Sequence, residues 1–573
     1  MLRTFTEHRV REVVGLDGMW DFTTAEDRRD QAVLPKRYAR SCGVPQAWEQ
    51  LPGLEGYRGQ GWYRRRVAGD SARALRLVFG GVSHTADVYV DGTKVAHHYD
   101  AFTPFAVTVA PTKRREREVV VAVDNQFGDH SALHIGNDYY TYGGLTRPVE
   151  AHYVAPIYIE RVHAVPEQAR GGRWDLAVTV RLHNWSASSG TRRVVARVAG
   201  SEVELARVRV AAGATVSKSL HLSGLAVKAW SAAAPQLYDL DIAVYEGDDQ
   251  VDDLRDRVGF RAVAVRGKKL LLNGKPLLLR GYNRHEDHPQ FGCAIPVEAM
   301  RHDLYLLRDL GSNFVRTCHY PNDRRFLDLC DEMGFFVWEE SHARAINFKH
   351  PRFREQIMDS TVEMLDWHRS HPSIIIWGCL NECDSVSRAG AKEHARVLKY
   401  IKKTDPSRPV TFASNKGSND VCLGLVDIVA WNRYTGWYGG DVAGVEPGLK
   451  HILKWLHSPQ SQGGAGKPVI LSEFGGGAIR GLRDARAVHW TEEYQCQVLD
   501  EELRVYLGHP DVIGTAIWQF CDVRVTPENR WWVSRPRTMN NKGTVDEYRR
   551  PKMVYDVVKR RHAEDRKKRG GRL

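Results

Sequence analysis

The 573-residue sequence contains no apolar run long enough to span a bilayer, and its opening MLRTFTEHRVREVVGLDGMW has no apolar signal-peptide core. No membrane association is expected, and a cytoplasmic setting is the default. Cysteine is scarce: nine residues, an odd count without a CxxC pair, indicate neither a disulfide framework nor a zinc site. Cys379 and Cys383 read as small buried packing residues, and no metal or cofactor is expected. No segment resembles a nucleic-acid module. The formal charge of +12 is partly owed to the terminal RRHAEDRKKRGGRL, which reads as a solvated, frayed tail, and a positive field attracts anionic substrates. In modest excess are the aromatics, 16 Trp and 22 Tyr, which suit sugar faces as well as cores.

The length is too great for one core, and the pattern changes twice along the chain. Residues 1–154 alternate in short runs such as Ala74 to Phe79, with an Asp91-Gly92 hairpin signal, and read as a jelly-roll β-sandwich. This unit closes on an irregular aromatic segment, Gly136 to Pro148, of a composition suited to folding over a neighbouring site. Residues 155–262 alternate at Leu176, Val178, Val180 and Leu182 and read as an immunoglobulin-like β-sandwich. From 263 to 573 the rhythm becomes strand, loop, helix. Apolar strands are expected at 277–282, 313–317, 335–339, 374–380, 409–413, 428–432, 469–472 and 512–518, eight βα units that close a (β/α)8 TIM barrel.

The fourth and seventh strands carry the chemistry. Ile374 to Glu382, IIIWGCLNE, is a strand buried on both faces that delivers Asn381-Glu382 at its end; Pro468 to Gly475, PVILSEFG, delivers Glu473. Strand ends of a barrel converge on one face, so the two carboxylates suit a glycosidase pair, one acting as nucleophile and one as acid. The acid's pKa is expected to rise beside the charged nucleophile. Asn381 is placed to bond a sugar 2-OH. Other strand ends offer His285, His319, Asn432, Tyr434 and Trp518, with Tyr434 suited to Glu473 and Trp518 to the floor beneath a sugar ring.

Together these residues resemble glycoside hydrolase family 2. Gly378 to Glu382 is similar to its acid/base signature, Ser472 to Gly475 to its nucleophile segment, Arg316 to Pro321 to a further family stretch, and Leu16 to Trp20 to the opening of its jelly roll. The resemblance implies Glu382 as acid/base, Glu473 as nucleophile, and retention of configuration through a covalent glycosyl-enzyme. The long loop after the eighth strand, from Cys521 to about Glu547, contains Trp531, Trp532 and Asn540-Asn541-Lys542-Gly543. The last run resembles the Asn-x-Lys motif by which glucuronide-hydrolysing members hold the sugar carboxylate, and an amide beside an ammonium is chemically suited to that task. Tyr438 and Asp138 also resemble substrate contacts of those members. The family's loop arginine stands where this chain has Pro536, with Arg535 and Arg537 on either side as candidates. An exo-acting β-glucuronidase is the leading expectation; a β-galactosidase or β-galacturonidase follows, and an inactive carbohydrate-binding protein ranks below both. Family members often form dimers or tetramers, and no surface pattern here selects a homo-oligomer.

Overall fold

A computed structural model describes residues 1–28, 32–528 and 534–569, so Trp531 and Trp532 lie outside the described residues. In the first sandwich a four-stranded and a six-stranded antiparallel sheet pack face to face around Trp20, Phe22, Trp48, Tyr63, Leu77 and Val121. The Asp91-Gly92 turn forms as expected, with φ of 51° and 81°, and pairs Val90 with Thr93. The second sandwich has three strands against four, and its strand Trp174–Asn184 alternates buried and half-buried positions along its whole length.

The third unit is a barrel of eight parallel strands: β1 (Leu279–Arg284), β2 (Phe314–Thr317), β3 (Phe336–Glu340), β4 (Ile374–Gly378), β5 (Ala413–Ser414), β6 (Val429–Asn432), β7 (Val469–Glu473) and β8 (Val512–Ile517). Between β4 and β5 the ring closes through a single bridge, Trp377 to Val410, where the Trp377 N–H donates to the Pro409 carbonyl at 3.1 Å. Strand period 2 then explains where the site lies. Leu279, Phe314, Phe336, Trp338, Ile376 and Ile470 belong to one apolar cluster at the lower end. Two or four residues on, the same face presents Asn283, Arg316, Glu340 and Ser472. The barrel interior therefore turns from apolar to charged just below its C-terminal mouth.

Two sequence expectations change. Strand β4 stops at Gly378 rather than Leu380, because Leu380 and Glu382 adopt left-handed φ of 51° and 52°, a conformation that costs a non-glycine residue about 1 kcal/mol or more. The basic terminus is not a frayed tail through 569: Val554–Lys568 is a helix packed on the helix Glu492–Gly508. Its His562 is buried, and its Asp565 pairs with Arg280 at 2.9 Å. Among the described residues no helix is long and apolar enough to cross a membrane.

The N-terminal sandwich is bolted to the barrel. Arg3 lies buried between Asp328 and Asp256, at 2.8 and 3.1 Å. Phe102 stacks on Tyr320 with centroids 3.8 Å apart, the Tyr142 hydroxyl donates to Asp287 at 2.7 Å, and Arg147 pairs with Glu286 at 2.8 Å. These contacts hold the aromatic segment after Gly136 over the barrel mouth.

Candidate active site

Glu382 and Glu473 line one cavity of about 710 Å³ at the barrel mouth, together with Asp138, Arg344, Lys416, Asn432, Tyr434, Tyr438, Trp518 and Arg535. Glu473 is the more enclosed. Its side chain is 5% exposed, and it accepts from Arg316 Nη1 at 2.8 Å and from the Tyr434 hydroxyl at 2.9 Å. Glu382, 12% exposed, accepts from Asn432 Nδ2 at 2.9 Å. Arg316 ties the set together, since its Nη2 donates to both Glu340 and the Asn381 side-chain oxygen Oδ1, each at 2.8 Å. With that oxygen occupied, Asn381 Nδ2 is left without a partner.

The two carboxylates feel each other. Burial, and after it the charge of Glu382, raises the Glu473 carboxyl to about 7, while Arg316 pulls the other way. Sequence reasoning expects the upward shift on Glu382; in the structure it falls on Glu473, because Glu473 is the more deeply enclosed. A guanidinium and a phenol on Glu473 favour its ionised form.

Behind the part of the cavity wall formed by Tyr434 and Tyr438 lies a buried lysine. Lys542 is 1% exposed, and its Nζ stands 4.9, 5.4 and 6.0 Å from the ring centroids of Tyr438, Trp437 and Tyr434. Among the described residues no carboxylate lies within 4.0 Å of it. Burial first, and then Arg535, pushes its pKa well below the ordinary lysine value. Arg535 makes a two-nitrogen pair with Asp138 at 2.8 and 2.7 Å and also donates to the Tyr438 hydroxyl at 3.0 Å. Burial opposes the Asp138 charge, but these hydrogen bonds hold its pKa below the usual value. Asn540 Nδ2 donates to the same carboxylate at 3.0 Å. The Tyr438 ring stands in the open at the rim, with its hydroxyl turned inward.

The structure places the two loop arginines differently. Arg535 enters the cavity, whereas Arg537 has a half-exposed side chain and turns away to Asn541 at 3.0 Å and Glu547 at 3.7 Å. His285 and His319 are fully enclosed and sit behind the cavity wall. His319 stacks on Trp518 with centroids 5.1 Å apart and meets Glu340 at 3.0 Å; His285 stacks on Tyr139 at 4.7 Å. Burial drops the His285 pKa to about 3 and that of His319 well below normal, so both rings are neutral. Each keeps an unpartnered Nε2.

Four contributors were not singled out from sequence. Arg316 and Glu340 carry a signal: a charge within the apolar run Phe314 to Thr317, and an acid on the inward face of β3. Arg344, whose Nη1 donates to Asn137 at 2.7 Å and whose Nη2 lies 3.7 Å from Glu382, sits in a loop without any pattern, as does Lys416. Among the described residues three buried triads, His285-Cys318-His319, Asp100-His134-His342 and Asp328-Asp331-His371, bring ligand-type atoms within 4.8 Å of one another, so each could hold a metal ion by spacing. In each triad some of these nitrogens already bond to neighbours: His285 Nδ1 to Tyr320, His134 Nδ1 to Tyr99, His342 Nε2 to Tyr139 and His371 Nδ1 to Asp331.

Comparison with known proteins is consistent with this geometry. Residues 263–564 match the model for the glycosyl hydrolases family 2 TIM barrel domain, and residues 157–261 match the glycosyl hydrolases family 2 model. A β-galacturonidase from Eisenbergiella tayi, solved bound to galacturonate, is 41% identical with a TM-score of 0.92, over 98% of this chain and 99% of that one. A β-glucuronidase from Ruminococcus gnavus in complex with D-glucuronic acid is 25% identical with a TM-score of 0.85, over 98% and 99%. The β-glucuronidase of Streptococcus agalactiae serotype V is 28% identical over 96% of each chain.

Proposed function

This chain belongs to glycosyl hydrolase family 2, and on that premise we propose that it is an exo-acting β-D-hexuronidase that cleaves by double displacement with retention. Glu473 is the nucleophile: it is the carboxylate that a guanidinium and a phenol hold toward the ionised form. Glu382 is the acid/base, more open to the side on which the leaving unit must sit. In the first half-reaction Glu382 protonates the glycosidic oxygen as Glu473 bonds the anomeric carbon. Glycosylation removes the Glu473 charge, Glu382 becomes a base, and water attacks the same carbon. The partnerless Asn381 Nδ2 is free to donate to the 2-OH, a contact that strengthens as the oxocarbenium character develops.

One observation carries the uronide reading. Lys542 is a buried amine with rings around it and no carboxylate in reach among the described residues, so that its charged form is costly until an anion enters. The sugar carboxylate supplies that anion, with Arg535, Tyr438 and the remaining N–H of Asn540 nearby. A neutral hexoside would leave the ammonium unpaired.

Of the two uronic epimers, the galacturonide is the preferred substrate on the strength of the 41% identity to the E. tayi β-galacturonidase across both chains. The glucuronide is the second reading, favoured by the Asn540-x-Lys542 motif and by curated relatives that are β-glucuronidases. The test is hydrolysis of 4-nitrophenyl β-D-galacturonide, β-D-glucuronide and β-D-galactoside, with the anomer first released identified by proton NMR. The proposal expects turnover of a uronide well above the galactoside and the β anomer released first. Faster galactoside cleavage overturns the uronide assignment, and an α product overturns retention.

A further inference from the structure

The cavity is lined by three acids, Asp138, Glu382 and Glu473, and four cations, Arg344, Lys416, Arg433 and Arg535. Asp138, Glu382 and Glu473 all serve the sugar being cleaved. Arg535 pairs with Asp138, and Arg344 spans Asn137 and Glu382. Lys416 has no such partner. Its Nζ meets only the backbone carbonyl of Glu382, at 3.4 Å, and no carboxylate among the described residues lies within 4.0 Å of it. Nor is it a loosely hung surface residue. The loop that carries it leaves β5 beside the acid/base strand, where the Glu382 N–H donates to the Ala413 carbonyl at 2.9 Å. Behind it Asp420 accepts from both Ser385 and Ser414, and the Lys416 N–H donates to Ser414 Oγ at 3.1 Å.

The position has a chemical meaning. An acid/base stands on the leaving-unit side of the scissile bond, because it must reach the glycosidic oxygen. A lysine seated against the backbone of that residue therefore faces the unit that departs. The acids lining the cavity are the catalytic pair and Asp138, and the cations Arg344, Lys416, Arg433 and Arg535 outnumber them by one, in keeping with a chain of formal charge +12. We infer that Lys416 forms a leaving-unit subsite for a carboxylate, so that the preferred substrate is an acidic oligosaccharide with a second uronate next to the terminal one. This rests on the assignment of Glu382 as acid/base made above.

The test uses two uronosyl disaccharides that differ only in whether the reducing unit carries a free carboxylate or its methyl ester, so that the leaving oxygen is nearly the same. The ratio of kcat/KM for acid over ester is measured for the wild-type protein and for Lys416→Met, at low salt and in added sodium chloride. The inference expects the wild-type ratio to be about fivefold at low salt, as for one partly exposed ion pair, to shrink with salt, and to fall to near one in the variant. A wild-type ratio near one, or an undiminished ratio in a variant that melts normally, overturns it. An aryl hexuronide run in parallel separates the two readings: if that substrate too is inert, it is the proposed function that fails.

Discussion

Lys542→Met is the perturbation that speaks most directly to what the cavity binds. Methionine is unbranched and apolar, so it fills the space among Tyr434, Trp437 and Tyr438 without introducing a new charge. An ammonium and a carboxylate ~4 Å apart interact by roughly 4 kcal/mol at an effective dielectric of ~20. Part of that is offset, because burial holds the Lys542 pKa well below its ordinary value and the side chain must take up a proton as the anion arrives. A net loss on the order of 3 kcal/mol follows, or roughly a hundredfold in kcat/KM for an aryl hexuronide. For the matching neutral hexoside the loss is expected to stay within about threefold, since uniform binding is not touched. The melting temperature of the free protein should not fall, because the amine removed has no carboxylate partner among the described residues. The same logic fixes a sign with pH: uronide binding takes up a proton at Lys542, so KM for the uronide rises as pH rises past the depressed pKa, and KM for the hexoside does not. Equal losses on charged and neutral substrates, or a uronide loss below about threefold, would refute the reasoning.

Tyr434→Phe removes a donor that favours ionised Glu473, so the acid limb of the kcat/KM profile, expected near the raised value of about 7, should move upward by about one unit; a limb that stays put or moves down contradicts the assignment. Glu473→Gln should abolish turnover and still bind the uronic acid product by calorimetry, and retained turnover excludes Glu473 as nucleophile. Arg3→Met leaves Asp328 and Asp256 buried without their cation, a cost of about 3 kcal/mol; scanning calorimetry should show a lower melting temperature, and an unchanged one means that the contact between sandwich and barrel does not depend on this ion pair.

The sequence by itself determined the architecture and the meeting of Glu382 and Glu473 at the barrel mouth, since both rest on local pattern. Alternation at Leu176 to Leu182 marks a two-faced strand, and the unbroken apolar run of Ile374 to Trp377 marks a strand covered on both sides. The barrel's geometry then places Glu382 and Glu473 together without further information, because any acid just past a strand end must open on the same mouth. The backbone departures at Leu380 and Glu382 were not legible, since left-handed φ at a non-glycine residue is imposed by what surrounds it. The choice between Arg535 and Arg537 was equally hidden: two residues apart in an irregular loop, they differ only in that Asp138, arriving from another domain, meets one of them. For the same reason Arg344 and Lys416 came to light only with the fold. Periodicity tells which face of an element is buried. Only the closing of the ring, and the sandwich loop laid across it, decides which charges in patternless loops meet and which are left waiting for a partner.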